Sequence, residues 1–180
     1  GGLYARSRVD SMLEGQGGSA QLLAVYLGTG TQMHDFRTLQ EHGAPRTTSD
    51  LVFKGAVADQ SRSVYSGMIR MRNGARGANA FQTNRNLVLS DGAHADSVPN
   101  LEIEESDVKC SHASAVGPID EEQRFYLESR GVPRRTAERL ILLGFFDELL
   151  ERVQSSVARH VADVIASRLA GLADITAAVS

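Results

Sequence analysis

The sequence predicts an α+β chain, mainly β over its first two thirds and helical at its end. Three observations carry this. Up to about residue 116 the text is a series of short segments rich in Val, Ile, Leu or Phe, each bounded by Gly, Asn, Asp or Ser. Most of the 17 glycines lie in that stretch, among them Gly74, Gly77 and Gly92, a density that works against helices. Beyond residue 116 the apolar spacing changes to steps of three and four, and strands followed by helices are α+β organisation.

The strand segments are Gln21–Leu27, Leu51–Ala58, Gly67–Arg72, Asn86–Leu89, Leu101–Glu104 and Val108–Ser111. Met68-Ile69-Arg70-Met71-Arg72 and Leu101-Glu102-Ile103-Glu104 alternate, so each presents one buried and one wet face. Many short strands with tight turns admit a sandwich, a barrel or a solenoid. The apolar clusters between Val52 and Val108 recur at uneven steps, which favours an irregular β-solenoid, although no clean repeat is visible. After it, Asp120 is an N-cap with Gln123 three residues on, and Gly131 closes that first helix. Pro133 and Thr136 open a second helix carrying Leu140, Leu143, Phe146, Leu150 and Val153. A third starts near Ser155 with Val157, Val161, Val164, Ile165 and Leu169 on one face. The division expected is a β core over residues 1–116 and a helical subdomain over 117–180.

With 180 residues and 19.4 kDa, the chain is long enough for one domain with an appended subdomain. Hydrophobic residues at 42% and charged residues at 23% are a globular composition. A net charge of -3 gives no bulk attraction to nucleic acid or an anionic membrane. Its 17 Arg and two Lys are scattered, without an aromatic stacking platform beside them. One cysteine makes no internal disulfide, and no apolar run approaches the roughly 18 residues of a membrane span. A cytoplasmic protein is therefore expected. The chain starts without Met and leads from Gly1-Gly2-Leu3-Tyr4 straight into strand-like text, so a piece of a longer protein is expected.

The most specific local pattern is Lys109-Cys110-Ser111-His112. On a strand, residues two apart share a face, so Cys110 and His112 would be presented together. Thiolate and imidazole suit zinc or iron–sulfur species, but two donors do not close a metal site, and a small buried thiol beside a hydrogen-bonded histidine is the plain alternative. Asp91, His94 and Asp96 form a second polar cluster. Paired acids on a solenoid would suit carbohydrate hydrolysis by Asp91 and Asp96, while a turn rich in capping residues is the plain reading. His34 and His42 read as residues around a Gly- and Pro-containing loop. Gly28-Thr29-Gly30 lacks the further glycine and helix that a phosphate loop needs. No nucleophile elbow is present.

Residues 49–152 resemble the core of the SufB/SufD family, which assembles iron–sulfur clusters in the SUF system. The resemblance rests on an ordered set of stretches: Ser66-Gly67-Met68-Ile69, Gln82-Thr83-Asn84-Arg85-Asn86-Leu87-Val88-Leu89-Ser90, Pro99-Asn100-Leu101-Glu102-Ile103, Asp107-Val108-Lys109-Cys110-Ser111-His112, Val116-Gly117 and Phe125-Tyr126-Leu127-Glu128-Ser129-Arg130-Gly131. It implies a right-handed parallel β-helix followed by a small α-helical subdomain. It also implies a longer natural protein, with an N-terminal helical region and the first β-helix turns ahead of this segment.

Within the family, SufB-type chains carry a cysteine in Gln-Cys-Asp where this one has Gln82-Thr83-Asn84, and Glu-His-Glu where it has Ser111-His112-Ala113. Cys110-Ser111-His112 is the SufD-like form. The resemblance thus implies a non-catalytic SufD-like scaffold that pairs with SufB through the β-helices and with the SufC ATPase through the C-terminal helices. It places His112 at the SufB interface, near a transient iron–sulfur cluster shared with the partner, with Cys110 as a second and weaker donor. Arg134, Arg135 and Arg139 are the expected SufC contacts. A flavin is admissible, and no cofactor is expected to stay tightly bound to this segment alone. A homodimer, or a homodimeric scaffold doing both jobs, is the related alternative. The β-helix carbohydrate-active enzyme using Asp91 and Asp96 is the unrelated one. The SufD pattern usually has glycine after the histidine, and Ala113 in its place predicts a strained turn if that glycine supplies a positive φ.

Overall fold

A computed structural model describes residues 2–170, so the last ten residues of the expected helical subdomain lie outside the described part. Eight strands come first: β1 (Tyr4–Leu13), β2 (Ser19–Gly28), β3 (Met33–His42), β4 (Thr48–Val57), β5 (Arg62–Met71), β6 (Asn79–Val88), β7 (His94–Ile103) and β8 (Lys109–Gly117). Odd strands stack in one sheet in the order β1-β3-β5-β7 and even strands in a second, β2-β4-β6-β8. Every pairing is parallel and in register over nine or ten residues. The chain therefore winds through four two-strand coils, a parallel β-solenoid.

Each of the six expected strands overlaps an observed one, and five of them run one residue past one of its ends. β1 and β3 escaped the hydrophobic pattern, and so did the even spacing. Strands begin at residues 4, 19, 33, 48, 62, 79, 94 and 109, steps of 14 to 17 residues. Apolar content hides this repeat, because several coils fill their interior with polar side chains. In β3 the inward residues include Thr38, Gln40 and His42, and in β6 Gln82, Asn84 and Asn86, all buried. The corners keep the repeat that side chains lose. Gly17, Arg46 and Gly77 occupy the left-handed region at stacked positions, with φ of 71°, 55° and 71°. Their amides donate along the stack to Pro45 O, Arg76 O and Asp107 O.

Those polar residues form directed chains. Gln40 Nε2 donates to Ser49 Oγ at 2.8 Å, and Ser49 Oγ lies 2.8 Å from His42 Nε2. On the other side of the ring, His42 Nδ1 lies 2.7 Å from Thr47 Oγ1, whose own hydrogen goes to Ala44 O at 3.0 Å. With the Thr47 hydrogen committed, Nδ1–H donates to Thr47 and Nε2 accepts from Ser49, which fixes a neutral His42. His34 and His42 thus stand at the two ends of β3 rather than around a loop, and burial lowers the pKa of both. Elsewhere the interior is aromatic: Tyr26, Phe36, Phe53 and Tyr65 follow one another with ring centroids 4.5, 5.8 and 5.4 Å apart.

Three helices follow: α1 (Glu121–Ser129), α2 (Arg134–Leu150) and α3 (Ser155–Ala170). Asp120 caps α1, accepting from the Glu122 amide at 2.8 Å and the Gln123 amide at 3.3 Å. Gly131, at φ 83°, ends it in a Schellman motif, with Gly131 N donating to Glu128 O and Val132 N to Leu127 O. The apolar face of α2 does not build a core of its own. Leu142, Phe146 and Leu150 pack with Ile165 and Leu169 of α3 onto Ala56, Ala58 and Leu89, with Val25 and Leu27 alongside. Burial of each large side chain there is worth about 1.5–3 kcal/mol. Leu140, Val157 and Val164, expected on the buried stripes, are about half exposed because the sheet turns that face outward. Lys54, buried on the outer side of β4, ties the end of α2 down by donating to Phe145 O at 2.7 Å and pairing with Glu148.

Candidate functional site

Among the described residues β7 and β8 close the two stacks, and each has one backbone edge with no strand beyond it. Strand periodicity decides which β8 side chains look into the solenoid. In register, Cys110 stacks on Ala80, His112 on Gln82, Ser114 on Asn84 and Val116 on Asn86, all in the inward phase. No further coil lies over them within the described residues, so inward-phase residues are open here. His112 and Ser114 are exposed, as are Leu101 and Ile103 of β7 and Val116 of β8. A histidine thus sits on the solenoid's terminal row, among apolar side chains that a soluble surface seldom gathers.

Cys110 is brought to the same row and phase as His112, as its spacing predicts, but its surroundings differ. It is half-buried and packs against Ile69, Met71, Ala78 and Ala80, and burial pushes its thiol pKa up. A raised pKa disfavours the thiolate, which is the ligating form. Among the described residues, no three His, Cys, Asp or Glu side chains are gathered to hold a metal ion. The donors this edge offers are one exposed imidazole and one half-buried thiol. Ala113 lies in mid-strand opposite Thr83, and the positive-φ non-glycines among the described residues are Arg46 and Asp59. The strained turn expected beside His112 is therefore not formed.

The other candidates separate. Asp91 lies in the corner before β7, whereas Asp96 lies on the outward face of β7 and pairs with His94 Nε2 at 3.0 Å. Gly28-Thr29-Gly30 leads from β2 into β3 with no helix after it. Of the three arginines, Arg134 bonds the buried Glu138 at 3.0 Å, with Arg124 at 3.7 Å from the same carboxylate. Reversing Arg134 would set a second carboxylate beside a buried one, so it is a poor surface probe. Arg139 is exposed, close in sequence to Leu140, which lines a groove with Tyr126 between α1 and α2.

Two features have no signature in the sequence. A cavity of about 390 Å³ between β2, β3 and the helices has apolar walls that include Val25, Phe146 and Ile165, with His34, His160 and Arg168 at its lining. Gln82 is 1% exposed and neither Oε1 nor Nε2 has a hydrogen-bond partner. No helix among the described residues is long and apolar enough to cross a membrane.

The model of the SufBD core domain of SUF-system FeS cluster assembly matches residues 1–145. An iron-sulfur cluster assembly SufBD family protein of Mycobacterium tuberculosis is 42% identical over 161 residues, 85% of this chain and 41% of that protein. The iron-sulfur cluster assembly protein SufD of Escherichia coli is 34% identical over 172 residues, 95% of this chain and 41% of its own length. SufD of Bacillus subtilis is 34% identical over 154 residues, covering 85% and 35%. The chain spans about two fifths of the length of the curated relatives it matches.

Proposed function

The chain belongs to the SufBD core family of SUF-system iron–sulfur cluster assembly proteins, and from that premise we propose that it is a SufD-like scaffold, pairing with SufB at the β7–β8 end and with the SufC ATPase through its helices. The position of His112 carries the reading. It is exposed on a terminal strand whose backbone edge is free to meet a second protein, with Leu101, Ile103 and Val116 beside it to be covered. A cluster takes about four ligands. His112 supplies one imidazole, and the others come from across the interface, so moving one subunit against the other opens or closes the site. The cluster is cargo here. Cys110, turned into an apolar pocket, serves packing first. ATP is hydrolysed by the partner, and the scaffold itself runs no reaction.

Copurification with SufB and SufC, followed by anaerobic reconstitution read by absorbance, tests this with wild type and His112→Ala. The complex is expected in both, with cluster yield falling tenfold or more in the variant, the range for disturbing a metal site. Equal yields would reduce His112 to a structural role, and failure to form any complex would remove the scaffold reading. For SufC, Arg139→Glu is expected to weaken binding roughly tenfold, the ~1.4 kcal/mol of one interface arginine, without changing the melting temperature. Unchanged binding would move that contact off this part of α2.

A further inference from the structure

We propose that the cavity between β2, β3 and the helices binds an amphipathic carboxylate, its apolar chain against the cavity walls and its head group at Arg168, a role that does not depend on cluster assembly. At about 390 Å³ the cavity lies near the lower end of the range for small-molecule sites. Strand alternation and helix packing build its walls. Tyr26 faces the solenoid interior beside Gly55, so Val25 and Leu27 on either side of it face outward, toward the helices. Phe146 of α2 and Ile165 of α3 meet them there, both buried. Val164, at the rim, is 47% exposed.

The lining carries charge of one sign. Beside the apolar residues and Tyr26 it holds Gln32, His34, His160 and Arg168, and no carboxylate. Elsewhere in the helical part, Arg124 and Arg134 pair with Glu138, and Arg152 with Asp50. Arg168 has no hydrogen-bond or ion-pair partner among the described residues. A guanidinium is a permanent cation whose planar fork matches a carboxylate through two parallel hydrogen bonds. His34 points the same way. Its Nε2 is buried without a hydrogen-bond partner, a condition that a bound acceptor relieves. Gln32, by contrast, already accepts from the Thr29 amide at 3.1 Å. A purely apolar ligand would leave Arg168 and His34 unanswered, and a small inorganic anion would leave Val25, Phe146 and Ile165 uncovered. A carboxylate with an apolar chain answers both.

Equilibrium dialysis of radiolabelled decanoate against the full-length protein tests this, with labelled decanol and acetate as controls for chain alone and charge alone. Decanoate is expected to bind saturably at one site, roughly tenfold or more tightly than either control. Arg168→Gln should weaken it about tenfold, the loss of one charged hydrogen-bonded pair, and bring it level with decanol. Val164→Asp, at the exposed rim four residues before Arg168, sets a carboxylate within ion-pair reach of the guanidinium. It should abolish decanoate binding while leaving the melting temperature unchanged. No saturable binding of decanoate overturns the proposal, and so does equal affinity for decanol in wild type. Wild-type affinity in either variant would place the bound decanoate outside this cavity and overturn it as well.

Discussion

Gly55→Ala is expected to destabilise the fold by about 3 kcal/mol or more, at the top of the usual cost of overpacking a core or above it. Gly55 sits in the inward phase of β4, between Tyr26 on β2 and Asn86 on β6 in register. The Tyr26 ring lies across it, and its hydroxyl bonds Asn86 Oδ1 two strands away. A Cβ on residue 55 would stand 2.0 Å from Tyr26 Cε2 and 2.7 Å from Asn86 Oδ1. The ring has to leave, and its departure breaks the Tyr26–Asn86 bond inside the solenoid, where an unsatisfied polar group adds about 1–3 kcal/mol. For a chain of this size that is a fall of roughly 10 °C in melting temperature. Thermal unfolding checks it, and Tyr26→Ala should partly rescue Gly55→Ala because the two changes meet at one contact. A loss under about 1 kcal/mol, or strict additivity of the pair, would mean that the ring does not cross Gly55.

His42→Leu should cost about 3 kcal/mol and flatten the acid limb of the stability curve. The substitution leaves the Ser49 hydroxyl without its acceptor and Thr47 Oγ1 without its donor, both inside the core. Burial lowers the His42 pKa in the folded chain, while the unfolded chain titrates near the ordinary value of about 6.5. Between those two values the unfolded chain binds more protons, so stability rises with pH there. The contribution is complete above pH 6.5 or so and is lost progressively as the pH falls below it. His34, lowered chiefly by burial, adds a slope of the same sign. Melting temperatures from pH 7.5 down to pH 5 should therefore drop steeply in wild type and less steeply in His42→Leu. Parallel curves would show that His42 is charged or hydrated in the fold.

Parts of the fold were legible because single residues dictate local geometry. Asp120, Gly131 and Pro133 bound the helices through backbone chemistry that needs no tertiary partner, and the helices start and end where these residues place them. β4 and β5 were legible because Leu51, Phe53, Ile69 and Met71 face the interior. β3 was not, since His42 looks like a loop residue until Ser49 of the next strand and Thr47 just before it are beside it. The even repeat was hidden for the same reason: a solenoid needs each coil to fill the same space, not to fill it with the same kind of side chain.

At the candidate site, the two-residue spacing of Cys110 and His112 fixed that they share a face, and the ordered motifs fixed the family. Neither says which face. Register with β6 made that face the inward one, and the end of the stack then opened it at His112 while Cys110 stayed against Met71 and Ala80. The sequence by itself determined that strands come first and helices after, the caps at Asp120 and Gly131, and the chemistry available at positions 110 and 112. The tertiary structure alone decided that Gln82 lies buried and unpaired beneath His112, that Gly55 must stay bare, and that α2 packs on the sheet. Those outcomes depend on residues some 30 apart along the chain being stacked one strand spacing from each other, and periodicity within a segment carries no information about what the neighbouring coil places there.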